Sequence, residues 1–159
     1  MRKVYLEFAP LRGRRGREAG RELLGKMYRE IAGGEMPEIH VAPRGKPYFA
    51  EGNWHFSISH TKGHVFCALS DHPIGLDAEE TDRQINLDLA EKILSSGEKE
   101  RYLSASDKRA ALLRLWVLKE AAAKLTGEGL RGYPNHTDFS PEDPRIRELG
   151  GCYVAVLEE

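Results

Sequence analysis

The sequence predicts an α+β fold built on antiparallel strands. Three segments that alternate apolar and polar side chains follow one another closely, as strands of one meander do: residues 54–59, 65–70 and 74–79. Helical periodicity then takes over in residues 87–94, 98–103 and 106–126. Because the strands precede the helices instead of alternating with them, the sequence argues against a doubly wound parallel sheet.

The flanking elements follow from the same periodicities. Residues 1–8 alternate like a first strand, and residues 17–32 carry apolar side chains at helical spacing before a Gly-Gly pair. The two-residue connection at 62–63 predicts a tight hairpin. Residues 152–157 predict a last strand. We therefore expect a single compact unit over residues 1–159.

Composition indicates a globular protein of the cytoplasm. Of 159 residues, 40% are hydrophobic and 31% charged, and no apolar run approaches the ~20 residues that cross a bilayer. The amino terminus lacks the apolar region of a signal peptide. A net charge of −1 argues against nucleic-acid or membrane partners. Cys67 and Cys152 are predicted to be buried free thiols, not a disulfide or zinc ligands.

Positive charge is concentrated at the amino terminus. Residues 1–30 contain nine Lys or Arg against four Glu, although the whole chain carries a formal charge of −1. An Arg-Gly loop in this segment could bind RNA, but it is short and has no interleaved aromatic residues. We therefore expect its arginines to contact a phosphate group.

Two carboxylates lie on one face of the strand predicted around Asp77. Asp77 and Glu79 alternate with apolar residues, so they are about 6.6 Å apart along the strand and can converge on one small cation. A solvated strand end would give the same pattern. Paired carboxylates without a cation repel each other, which makes the metal interpretation worth testing.

A third carboxylate lies on the long predicted helix. Trp116, Glu120 and Lys124 recur every four residues and share one face, with Lys119 beside it. An ordinary surface ion pair would explain Glu120 and Lys124 taken alone. Together with Asp77 and Glu79, however, they predict a metal site whose neighbouring lysines neutralise a phosphate-bearing ligand.

Four short motifs occur in order along most of the chain. They are Gly-Lys-Pro at 45–47, Phe-Ser-Ile-Ser-His-Thr at 56–61, Ile-Gly-Leu-Asp-Ala-Glu at 74–79 and Trp-Val-Leu-Lys-Glu-Ala-Ala-Ala-Lys at 116–124. In these motifs the chain resembles the 4′-phosphopantetheinyl transferases, as a compact member of the surfactin-synthetase-activating (Sfp-like) type. The resemblance implies antiparallel sheets with packed helices, in two pseudo-twofold-related lobes at about residues 1–70 and 71–159, in a monomer.

The resemblance also implies an activity. Members transfer 4′-phosphopantetheine from coenzyme A to a serine of an apo acyl, peptidyl or aryl carrier protein, with Mg²⁺, and release adenosine 3′,5′-bisphosphate. Such an enzyme serves lipid or secondary-metabolite biosynthesis. Two alternatives stay open: a catalytically silent module that binds coenzyme A or a carrier protein, and a Mg²⁺-dependent hydrolase of a free nucleotide.

Site residues carry over from the matching motifs. The implied metal ligands are Asp77, Glu79 and Glu120. The implied contacts to coenzyme A are Arg14, Arg15, Arg21, Lys46, Ser59, His60, Lys119 and Lys124. Lys124 and Glu120 are also expected to take part in catalysis, and His60 could alternatively be a structural hydrogen bonder.

Glu98 has two competing interpretations. It matches a family acid proposed to accept the proton of the carrier serine, a role for which Glu120 or a metal-bound water competes. The run Ser95-Ser96-Gly97-Glu98 is also a capping box, in which Glu98 would only stabilise the start of a helix.

Overall fold

The computed structural model describes residues 2–127 and 136–159. Its elements in chain order are β1 (Val4–Pro10), α1 (Gly16–Ile31), β2 (Ile39–Val41), β3 (Pro47–Phe49), β4 (His55–His60), β5 (His64–Ser70), β6 (Ile74–Glu80), α2 (Leu89–Ile93), α3 (Ser96–Ser104), α4 (Lys108–Thr126), β7 (Ile146–Leu149) and β8 (Cys152–Glu158). In the described ranges, no helix is both long and apolar enough to cross a membrane.

The strands form antiparallel sheets, which confirms the α+β class. One sheet has the order β1-β5-β4, a second has the order β6-β8-β7, and β2 pairs with β3 in a short ribbon. The two larger sheets share a connectivity, because in each the first strand pairs with the last, whose other neighbour is the strand just before it. The division into two lobes stays a prediction.

The predicted meander is correct for two strands and wrong for the third. β4 and β5 form the expected hairpin, closed by a hydrogen bond from Thr61 N to His64 O. β6 instead pairs with β8, which supplies an apolar antiparallel partner from the far end of the chain. The free edge of β6 meets β4 through side chains, since Leu76 N and Ala78 N donate to the hydroxyls of Ser57 and Ser59.

The predicted alternation of β6 is confirmed. Ile74, Leu76 and Ala78 pack into an apolar cluster with residues of β5 and β8. The opposite face, with Gly75 and Asp77, lies against α4, which also packs on β8. Both cysteines are buried, and neither forms a disulfide, as expected.

The caps of α4 explain where this helix begins and ends. The Asp107 carboxylate accepts a hydrogen bond from Ala110 N at 3.0 Å, which makes Asp107 the N-cap. Gly127 adopts a left-handed conformation with φ 76°, as a glycine after a helix does. The sequence Gly127-Glu128-Gly129 predicts the end of this helix, and of these residues Glu128 and Gly129 lie outside the described ranges.

Gly75 allows α4 to approach β6 closely. A Cβ at this position would overlap backbone atoms of α4, at Ala121 and Leu125, with Leu125 Cα only 2.9 Å away. Backbone cannot yield locally as a side chain does, so we expect Gly75→Ala to push α4 from the sheet and to cost about 1–3 kcal/mol of unfolding free energy. Urea denaturation measures this loss.

Gly25 provides the matched control. It is also buried, but it lies within α1, and a Cβ there would have Arg29 Nη1 at 3.6 Å and Met36 Cε at 4.0 Å as its nearest neighbours. Gly25→Ala should therefore stabilise the protein by about 0.4–1 kcal/mol through helix propensity and unfolded-state entropy. Equal effects of the two substitutions would refute the close approach at Gly75.

His72 links the turn before β6 to the end of β8. Its ring nitrogens lie 2.7 Å from Asp71 Oδ1 and 2.6 Å from Glu158 Oε1, and Nδ1 is also 3.1 Å from Ser70 Oγ. These hydrogen bonds, with Asp71 first and Glu158 second, raise the pKa of His72 above its ordinary 6.5, while burial and Arg2 oppose the shift. The imidazolium therefore favours the folded state.

This linkage predicts a pH-dependent stability. Because the folded-state pKa is raised, the contribution of His72 is complete below the unfolded-state value of about 6.5 and is lost as pH rises through the folded-state pKa. Urea midpoints should fall over that range, and His72→Gln should remove this part of the fall. The same substitution at exposed His40, His40→Gln, is the control. A wild-type pH profile in His72→Gln would contradict the assignment of this pH dependence to His72.

Candidate active site

Asp77 lies at the centre of a polar cluster between β6 and α4. Only 6% of the residue is exposed, and its Oδ1 accepts hydrogen bonds from Ser59 Oγ and Lys124 Nζ, both at 3.3 Å. Its Oδ2 is buried and has no hydrogen-bond partner within the described ranges. A buried carboxylate oxygen without a partner is costly, so this atom is prepared for a ligand.

Glu79 and Glu120 complete what we call the acidic cluster, together with Asp77. Burial raises the pKa of Asp77 to about 7 against the charge of Lys124, and Glu79 and Glu120 raise it further. Burial also raises the pKa of Glu120, again with Lys124 opposing and Glu79 adding to the shift. A small divalent cation bound by oxygen atoms would relieve this repulsion and give Asp77 Oδ2 a partner.

The periodicities explain why these three carboxylates are near enough for their charges to interact. Asp77 and Glu79 are on the same face of β6 as Gly75, where α4 comes closest to the sheet. Glu120 and Lys124 are one helical turn apart, so both lie on the side of α4 that approaches that face. Sequence analysis did not identify Arg83, which forms an ion pair with Glu79 at 2.8 Å. The available signal was a basic residue four positions after an acidic one.

A cavity of about 250 Å³ adjoins the cluster. Its lining includes Lys46, Phe56, Ile58, Glu120 and Lys124. The Lys46 ammonium lies 2.8 Å from Leu125 O, so it caps the last carbonyls of α4, and burial lowers its pKa. Lys124 Nζ is also 3.3 Å from Ile58 O. The cavity thus has an apolar wall and cationic groups at its border with the acidic cluster.

His60 contacts the start of α1, next to the basic loop. Its ring packs on Gly16 at the start of α1, where a Cβ would lie 2.6 Å from His60 Cδ2. Arg15 is the N-cap residue of α1, and exposed Arg14 pairs with Glu22. Arg21 is half-buried on α1. A glycine at position 16 therefore lets His60 approach the arginine-rich loop.

Lys119 and Glu98 do not join the acidic cluster. They form an ion pair at 2.7 Å, and they are only 1% and 0% exposed. Lys119 Nζ also donates to Thr137 Oγ1 at 2.6 Å. Lys119 precedes Glu120 by one residue, so its side chain points about 100° away from Glu120 around α4. This direction takes it to Glu98 of α3. In this conformation it offers no surface to a ligand.

Glu98 adopts the capping-box geometry. Its Oε1 accepts from Ser95 N at 2.9 Å while Ser95 Oγ accepts from Glu98 N, and its Oε2 accepts from Thr137 Oγ1 and Phe139 N. Burial alone would raise the pKa of Glu98, but these hydrogen bonds and the one from Lys119 lower it below its ordinary value. All its lone-pair directions are occupied by the protein itself.

Comparison with known proteins identifies the family of this chain. A family model described as the 4′-phosphopantetheinyl transferase superfamily matches residues 73–150, which include β6 and α4. The 4′-phosphopantetheinyl transferase psf-1 of Bacillus pumilus is 39% identical over 127 residues, which cover 71% of this chain and 52% of psf-1. This chain belongs to the 4′-phosphopantetheinyl transferase superfamily.

Other proteins show similar partial matches. The transferase Sfp of Bacillus subtilis (strain 168) is 38% identical over 90 residues, covering 54% of this chain and 39% of Sfp. The uncharacterized protein YieE of Escherichia coli (strain K12) is 32% identical over 146 residues, covering 87% of this chain and 59% of YieE. The chain spans about half the length of the curated relatives it matches.

Proposed function

We propose that this chain transfers 4′-phosphopantetheine from coenzyme A to a serine of an apo acyl, peptidyl or aryl carrier protein. The observation that carries the proposal is the acidic cluster beside a cationic cavity, with buried Asp77 Oδ2 lacking a partner. In the transfer, the serine oxygen forms a bond to the β-phosphorus of coenzyme A. The bond from that phosphorus to the bridging oxygen breaks, and adenosine 3′,5′-bisphosphate leaves.

The acidic cluster suits Mg²⁺. Asp77, Glu79 and Glu120 offer only hard oxygen donors, which this ion prefers over the nitrogen and sulfur ligands of zinc. When bound, Mg²⁺ would neutralise charge on the pyrophosphate of coenzyme A. Ser59 donates to Asp77 Oδ1, so it holds the carboxylate in orientation for this role.

Cationic side chains supply the remaining positive charge. Lys124 is one-third exposed at the cavity and can turn from Asp77 to a phosphate oxygen once a metal neutralises that carboxylate. Lys46 lines the same cavity, whereas His60 lines a separate depression together with Glu79. Arg14, Arg15 and Arg21 lie on or before α1, and we assign them to the 3′-phosphate. Such preplaced cations stabilise the charge that spreads over the phosphoryl oxygens in the transition state.

The serine proton requires an acceptor on the cavity side. Glu120 lines the cavity, whereas Glu98 is enclosed by its four hydrogen-bond donors. We therefore assign Glu120 as the candidate acceptor and Glu98 as a positioning residue that fixes α3 and, through Lys119, α4.

Both halves of the chain contribute to this site, so we propose a monomer with one functional unit over residues 1–159. Ser59 comes from β4, whereas Asp77 and Lys124 come from β6 and α4. A single chain thus supplies both sides of the β4–β6 junction. Sedimentation of the purified protein should show one species with the mass of one chain.

Intact-protein mass spectrometry tests the activity. An apo carrier protein incubated with this protein, coenzyme A and Mg²⁺ should gain one phosphopantetheine, and EDTA should prevent the gain. A carrier with its acceptor serine changed to alanine is the control. Cleavage of coenzyme A without any carrier would identify a hydrolase instead, and coenzyme A binding without product across carrier types would identify a silent binding module.

A further inference from the structure

A second set of metal-binding side chains lies on the other face of β6. His64 begins β5, Glu80 ends β6 and Cys152 begins β8, so three strands from both large sheets meet here. One donor atom from each residue lies within 4.8 Å of the other two. Because side chains alternate along a strand, Glu80 projects away from the acidic cluster that contains Asp77 and Glu79.

The distances between these donors are near those around a tetrahedral ion, although His64 and Cys152 lie beside different oxygens of Glu80. Cys152 Sγ lies 3.4 Å from Glu80 Oε2, and His64 Nδ1 lies 3.8 Å from Glu80 Oε1. Zinc bonds of about 2.0–2.3 Å imply donor-to-donor separations of about 3.3–3.8 Å in a tetrahedron. The three donor atoms, which lie within 4.8 Å of one another, would have to move closer together to bind one ion.

Neighbouring groups already orient these donors. Glu80 Oε1 accepts hydrogen bonds from Thr61 Oγ1 at 2.8 Å and from Gly63 N at 3.1 Å, which leaves Oε2 directed at Cys152. His64 Nδ1 is buried and has no hydrogen-bond partner in the described part of the chain. In metal sites, hydrogen bonds from neighbouring groups hold the ligands in position, as Thr61 and Gly63 hold the Glu80 carboxylate here.

We propose that His64, Glu80 and Cys152 bind a zinc-class cation. A thiolate, an imidazole and a carboxylate together suit Zn²⁺ far better than Mg²⁺, and the thiol proton passes to solvent as the sulfur binds. The His64 and Glu80 side chains are 26% and 25% exposed, so water can take the fourth position. From the sequence we predict no zinc site at Cys152, because no CxxC pair is present; its partners here are 72 and 88 positions away in the chain.

Bound zinc would connect the hairpin of β4 and β5 to β6 and β8. A ligand that binds only the folded protein raises its stability in proportion to the logarithm of ligand concentration. We expect the thermal midpoint of the metal-free protein to rise on adding Zn²⁺ in the absence of coenzyme A and carrier. This readout is independent of transferase activity.

Cobalt absorption provides the decisive test, because a thiolate-to-Co²⁺ charge-transfer band reports sulfur ligation. Metal-free, reduced protein titrated with Co²⁺ should develop this band together with the visible bands of tetrahedral cobalt, and Zn²⁺ should abolish both. Cys152→Ser should lose the charge-transfer band, whereas Cys67→Ala should keep it. His64→Gln, which retains the thiol, should weaken cobalt binding at least about 10-fold.

Asp77→Asn separates the two proposed metal sites. It removes a ligand of the acidic cluster and should leave the cobalt spectrum unchanged. Absence of the charge-transfer band in the wild-type protein, or its persistence in Cys152→Ser, would overturn the proposal. So would an unchanged cobalt affinity in His64→Gln.

Discussion

Asp77→Asn is expected to reduce carrier modification more than about 100-fold in kcat/KM, beyond the 10–100-fold typical of residues that only support a metal ligand. Asparagine keeps the shape of the side chain but removes the charge at the centre of the acidic cluster. The rate of phosphopantetheine gain by the carrier measures this loss. Glu120→Gln should reduce activity as well, because the Glu120 charge acts on Asp77 and we propose both carboxylates as ligands of the same metal.

The loss should not arise from unfolding. The folded-state pKa of Asp77 is raised to about 7, so its charge opposes folding at neutral pH in the metal-free protein. Asp77→Asn should therefore keep or increase the urea midpoint. Lys99→Ala, which removes a partly exposed ion pair with Glu91, is the activity control. Equal turnover in Asp77→Asn and Lys99→Ala would eliminate the proposed metal site.

Lys119→Met is expected to cost about 3–5 kcal/mol of unfolding free energy, because it leaves the Glu98 carboxylate buried without its cationic partner. That is a large fraction of the stability of a typical domain. Urea denaturation at neutral pH measures the loss. Lys92→Met, at an exposed position in α2, should change stability by less than about 0.5 kcal/mol.

A double variant distinguishes pairing from packing. Glu98→Gln combined with Lys119→Met removes both charges and should cost less than the sum of the single substitutions, because each single variant leaves one isolated buried charge and the double variant leaves none. The opposite result, lost turnover with unchanged stability, would indicate a contact with coenzyme A. If Lys119→Met kept its stability but lost turnover, Lys119 would contact coenzyme A as the family resemblance implies, and the buried ion pair would not describe the active conformation.

Short-range patterns were sufficient for much of the fold. The alternation in residues 74–79, the Lys62-Gly63 turn and the glycine after α4 depend on local backbone geometry, so their elements formed where expected. Local periodicity also accounts for the electrostatic interaction among Asp77, Glu79 and Glu120, because each lies on the face that its own periodicity assigns. Like charges on facing elements favour either proton uptake or a shared cation, and their joint binding of a metal stays a prediction.

The tertiary structure alone decided which strand pairs with β6 and where Lys119 points. A strand pattern specifies two faces but no hydrogen-bonding partner, and β8 lies more than 70 positions away in the chain. Helical periodicity separates Lys119 from Glu120 by about 100°, yet it cannot tell which neighbour each will meet. Similarly, His64, Glu80 and Cys152 became one cluster only when two sheets packed together. The sequence by itself determined the chemistry of each side chain and its face, whereas contacts between distant segments required the complete packed chain.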